Sequence, residues 1–178
     1  MIRRRFPYLF VVAAVVGLDQ LTKWLVARAL DLHEMRPIVD GLLSLSHVRN
    51  RGAAFGILSD ADLPYQAILF SVLSLVALAA IAVYAMRLPV TARLPQLALS
   101  LVLGGAVGNL IDRLRHGYVV DFVHVYWRQY QWPDFNVADS AISIGVALLV
   151  LDILRSPQPG EQEKAQVPEA AAHLGRTE

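Results

Sequence analysis

The chain has no cysteine among its 178 residues. That excludes disulfides, thiolate nucleophiles and cysteine-bound metals. Charge is also scarce: 17% of the residues are charged, and the net charge is +1. So small a balance offers no strong field to attract nucleic acid. There is no H-E-x-x-H run, the histidines lack ligand spacing, and no metal site is expected. No Ser/His/Asp order and no Gly-rich phosphate loop stands out, and there is no internal repeat. Apolar residues dominate instead, at 56% hydrophobic with a mean hydropathy of +0.46. A soluble domain of this size is far less apolar, so the composition points to a membrane protein.

A membrane-spanning helix needs about 20 mostly apolar residues. Four stretches qualify, at about residues 6–30, 65–86, 94–114 and 137–154. Each is interrupted little or not at all, except the first, which contains Asp19 and Lys23. The expected fold is therefore mainly α and integral to the membrane. Four transmembrane helices form a unit over residues 1–155, with an outer loop at about 31–64. Within that loop "LLSLSHV" alternates as a strand does, so a small β-element should lie over one membrane face. The tail, 156–178, is rich in Pro, Gln, Glu and Ala and reads as a disordered cytoplasmic end.

The N-terminus imitates a secretory signal, with Arg3, Arg4 and Arg5 first and Ala27-Arg28-Ala29 resembling a cleavage site. A signal peptide, however, runs from apolar to small residues without charges such as Asp19 and Lys23. The first span is therefore read as uncleaved. The three arginines, with no acid near them, put the N-terminus in the cytoplasm. Four spans return the C-terminus to that side. The remaining lysines and arginines do not decide the matter, since the totals are eight inside and eight outside.

In this topology the unusual polar residues gather at the outer face. Asp121 lies in the β-branched and aromatic run "VVDFVHVYW", which reads as extended. One reading of it is a solvated acid on a surface strand. Asp139 opens the fourth span three residues after Asn136. It fits a carboxylate favoured at a helix N-terminus capped by Asn136, and equally a functional acid. Only seventeen residues separate the two aspartates, so both belong to one membrane surface. Two close carboxylates do not both ionise cheaply. One keeps its proton, and the pair supplies a general base and a general acid.

Other residues add to this face. In "GGAVGNLIDR" Gly105, Gly108, Asn109 and Asp112 share a helical face, and the glycines permit close approach. Arg113 can pair with an acid or snorkel to the headgroups. "DQLTK" sets Asp19 and Lys23 four apart, as an intrahelical ion pair or as site-shaping groups. In "NRGAAFG", Asn50 can fix a turn or bind a peptide backbone, and the loop would suit a lid. A proton-coupled transporter is the rival reading, but it expects polar residues facing both sides. A non-catalytic scaffold leaves the one-sided cluster without a reason.

These five motifs, with "FNVADSAI" closing the series after "VVDF", resemble in order and spacing the bacterial lipoprotein signal peptidases, the signal peptidase II family. The resemblance covers residues 6–154. It implies an aspartic endopeptidase of the bacterial cytoplasmic membrane that needs no cofactor. The substrate would be a prolipoprotein, cut just before its diacylglyceryl-modified cysteine. Carried over by motif, Asp121 and Asp139 are the catalytic dyad. Asp19, Lys23, Asn50, Asn109, Arg113 and Asn136 are the shell that supports them or holds substrate. The resemblance also implies contact with membrane lipid, inhibition by globomycin-type cyclic peptides, and a monomer with its site at the periplasmic face.

Overall fold

The computed structural model describes residues 2–52 and 65–155. Gly56, the rest of 53–64 and the tail lie outside that range. Among the described residues four helices are long and apolar enough to cross a membrane: α1 (Ile2–Ala29), α2 (Gln66–Arg87), α3 (Arg93–His116) and α4 (Val137–Arg155). At 1.5 Å per residue, even the 19 residues of α4 extend about 28 Å, roughly a hydrocarbon core. The expected spans match these helices to within a few residues at each end. The chain is a multi-pass membrane protein.

Helix α3 is the centre. It packs against α1, α2 and α4, and half of its most apolar window is buried, against 6% for α2. Between Gln66 and Arg87, α2 has no charge, and it turns Val72, Leu75 and Val76 outward to lipid. Its last carbonyls have no intrahelical donors and no water inside a bilayer, so other donors must serve them. Arg5 of α1 donates to the carbonyls of Ala85, Met86 and Leu88 at 2.7, 2.9 and 2.9 Å. Gln96 of α3 donates to those of Ala85 and Leu88.

Over the opposite end of the bundle lies an antiparallel sheet of β1 (Met35–Val39), β2 (Leu43–Asn50), β3 (Val119–Trp127) and β4 (Tyr130–Gln131), in that order. Gly117, in the left-handed conformation at φ 77°, ends α3 and turns the chain into β3 within two residues. The return to α4 also pairs with β3: Phe135 exchanges backbone hydrogen bonds with Val123. That pairing sets Asn136, and α4 after it, beside Asp121. Val26, Leu30 and Phe122 form a small apolar cluster where α1 meets the sheet.

The most completely enclosed part of the molecule is polar. Of the five largest side chains that are fully buried, Asn136, Asp19, Asp121 and Ser46 are polar, and Val119 is the exception. Lipid solvates apolar side chains, so the buried centre is left to the groups that lipid excludes.

Candidate active site

Asn136 precedes α4 and caps it. Its Oδ1 accepts the N–H of Asp139 at 2.9 Å, and Asp139 Oδ2 accepts the N–H of Asn136 at 3.3 Å. This reciprocal pair is a capping box with aspartate as the acid. Since Asn136 Oδ1 is engaged by an N–H, its Nδ2 must point the other way, where it donates to Asp121 Oδ1 at 2.6 Å. One asparagine thus touches both carboxylates. The helix-cap reading of Asp139 holds, and the cap also ties the acid to the residue that holds Asp121.

Asn50 donates to the second oxygen of Asp121 at 2.9 Å. Its arrival there depends on a bulge. Leu45 pairs with Val123 and Val48 with Asp121, so β2 uses three residues where β3 uses two. In strict alternation Leu45 and Asn50 would face opposite sides of the sheet. The bulge reverses that parity and brings Asn50 to the face of Asp121. Asn50 Oδ1 then accepts the N–H of Gly52, whose carbonyl accepts Arg113 Nη2 at 3.0 Å.

Beneath the carboxylates lies Lys23. Its ammonium has three donors and no acceptor, and all three are used at 2.9 Å: Asp19 Oδ2, Asp112 Oδ2 and Asn109 Oδ1. That contact fixes the Asn109 amide, whose Nδ2 donates to Asp139 Oδ1 at 2.9 Å. The remaining oxygen of Asp19 accepts the N–H of Ala138 at 3.0 Å, one residue before Asp139. Asp112 Oδ2 accepts the N–H of Val120 at 3.2 Å, one residue before Asp121. A single buried cation therefore holds two carboxylates, and each of these grips the backbone next to one member of the pair.

All eight residues singled out in the sequence belong to one connected cluster. Two partners carry more than sequence reasoning assigned them. Asp112, expected on this helix face, also grips the backbone before Asp121. Gln20, which no motif argument singles out, donates to Asp112 Oδ1 at 2.8 Å and to the Gly108 carbonyl. Its position next to Asp19, inside "DQLTK", was the available signal. His124 faces away from Asp121. It meets Asp134, which also accepts Ser46 Oγ, on the other side of the sheet.

The electrostatics follow from burial. Asp121 is 1% exposed, on a strand outside the spans. Removal from water, and next the charge of Asp139, push its carboxyl up to about 7, against hydrogen bonds from Asn50 and Asn136 that favour ionisation. Near neutral pH the pair can therefore hold one proton between two acids. Arg113 also lines an apolar cavity of about 350 Å³ that opens between α2 and α3, together with Ile68, Val72, Leu75 and Leu110 among others.

Comparisons with known proteins cover most of the chain. The family model for signal peptidase (SPase) II matches residues 11–155. The chain is 52% identical to the lipoprotein signal peptidase of Geobacter metallireducens over 145 residues, 82% of this chain and 88% of the relative. To that of Geobacillus kaustophilus it is 45% identical over 157 residues, 87% of this chain and 99% of the relative. A bacterial membrane enzyme solved by the in meso method at 2.3 Å superposes with a TM-score of 0.75 at 32% identity, covering 84% of this chain and 88% of that one. With family, relatives and fold in agreement over the same four spans, the chain belongs to the signal peptidase II family.

Proposed function

We propose that the protein is an intramembrane aspartic endopeptidase. It removes the signal peptide from diacylglyceryl-modified prolipoproteins by cutting just before the lipidated cysteine. Asp121 and Asp139 are the catalytic dyad. The observation that carries this reading is the shared partner, Asn136, which hydrogen-bonds both buried carboxylates at once.

Asp139, ionised, takes a proton from a water whose oxygen attacks the scissile carbonyl carbon. Asp121, the acid whose pKa lies near 7, gives its proton to the carbonyl oxygen as charge develops there. Collapse of the tetrahedral species breaks the C–N bond. The proton held by Asp139 passes to the leaving amine, and Asp121 recovers its own from the gem-diol. The water's two hydrogens end on the amine and the new carboxyl group. Asn109 and Asn50 each fix one carboxylate. Arg113, near the substrate cavity, is suited to hold a peptide carbonyl.

The depth of the site suits the substrate. The diacylglyceryl chains stay in hydrocarbon and the signal peptide enters sideways along the cavity between α2 and α3, while the scissile bond reaches water at the membrane surface. The N-terminal arginines support cytoplasmic termini and a periplasmic site in the bacterial inner membrane, and the family resemblance implies that the protein acts as a monomer. Globomycin-type peptides would compete for the same cleft.

The test is cleavage of a diacylglyceryl-modified prolipoprotein by purified protein. Asp121→Asn and Asp139→Asn should each lower the rate by a factor of 10³ or more, on the order of what loss of an essential acid–base group causes. Both variants should keep the parent's helical circular dichroism. Normal cleavage by either variant would refute the dyad.

A further inference from the structure

We infer that the groove between α1 and α3, at the end of the bundle that carries the sheet, seats an anionic phospholipid of the surrounding bilayer. This groove encloses about 520 Å³, and neither Asp121 nor Asp139 lines it. Leu21 and Trp24 of α1 form one wall, and Arg115 and His116 of α3 the other. Lys23 and Asp112, paired with each other, form its floor.

Charge decides the occupant. The carboxylates that α1 and α3 carry, Asp19 and Asp112, are both engaged by Lys23, and Glu34, in the loop after α1, pairs with Arg36. Around the groove, Arg28 stacks on Trp24 at 4.1 Å and Arg49 on Tyr118 at 4.7 Å, and Tyr118 in turn stacks against His116. Among the described residues none of Arg28, Arg49 and Arg115 has a carboxylate within ion-pair distance. The rim is thus a cationic arc above an apolar face. Leu18 and Leu25 continue that face along α1 from Leu21, at one-turn spacing, and are about half exposed. A head bearing negative phosphate over two acyl chains matches both parts. A zwitterionic lipid matches the apolar part, but its own cationic amine offsets the attraction between the rim and its phosphate. Basic pockets between membrane helices recognise anionic head groups in this way, and Trp24 marks the headgroup level.

Trp24 also supplies the probe. It becomes the sole tryptophan when Trp127→Phe and Trp132→Phe are combined, since the chain has three. This variant is reconstituted into phosphatidylcholine vesicles containing increasing fractions of brominated phosphatidylglycerol or brominated phosphatidylcholine. Brominated phosphatidylglycerol should half-quench Trp24 at about a fivefold lower mole fraction, the preference expected if one basic contact acts on the head group. Adding Arg28→Gln, Arg49→Gln and Arg115→Gln should bring the two curves together, while prolipoprotein cleavage by the same protein persists and shows that it is folded. Equal quenching by the two lipids before those changes, or a preference that survives them, would overturn the inference.

Discussion

Asp121 links the residue scale to a measurable pH response. Its carboxyl titrates at about 7 in the folded chain, against roughly 3.9 for an unperturbed aspartate. Between those values the folded chain binds more protons than the unfolded chain, so stability falls as pH rises through the window. Below it the acid is protonated in both states and contributes no difference. Asp121→Asn imitates the protonated acid at every pH. In thermal unfolding the variant should be more stable than the parent at pH 8, by on the order of a few kcal/mol, with the gap closing near pH 4. A gap independent of pH would show that Asp121 does not hold the proton. Lys23 makes the complementary case. Lys23→Met leaves Asp19 and Asp112 buried without their cation, a loss of about 3–5 kcal/mol when one member of a buried pair is removed. Chemical denaturation in micelles would measure it, and a loss below about 1 kcal/mol would mean that water reaches the pair.

Between elements, glycine sets how closely α3 approaches its neighbours. A Cβ on Gly108 would stand 2.5 Å from Asp19 Oδ2, an atom held by Lys23 and unable to swing away. Gly108→Ala should therefore destabilise by about 1–3 kcal/mol and slow cleavage, because Asp19 also grips the backbone before Asp139. Gly17, on α1 with nothing within 4 Å of its Cβ direction, is the control. Gly17→Ala should be neutral or stabilising by about 0.5–1 kcal/mol. The four helices were legible in the sequence because lipid demands long apolar runs, and the Asp19–Lys23 pair because helical spacing is fixed. The bulge was not legible. "LLSLSHVRN" alternates well enough to hide a slipped register, and only pairing with β3 reveals that Asn50 changes face. Nor was the role of Arg5. Read as a topology signal, it is also the donor that completes the end of α2, and no local pattern connects residues 5 and 86.

Across the whole molecule the arrangement reverses that of a soluble domain: lipid takes the apolar surface, and the packed centre keeps the charges. The polar cluster and the sheet lie at one end, and the α2–α3 turn that Arg5 holds lies at the other, so orientation decides which compartment supplies the water. The absence of cysteine makes this directly measurable. Gln129, in the exposed β3–β4 turn, and Thr91, exposed between α2 and α3, mark the two ends. In intact spheroplasts a membrane-impermeant maleimide should label Gln129→Cys and leave Thr91→Cys unlabelled until the membrane is permeabilised. The reverse pattern would put the carboxylates on the cytoplasmic side, out of reach of substrates whose mature part has been exported. The N-terminal arginines argue for the first outcome, since moving that cluster across the bilayer opposes the positive-inside bias.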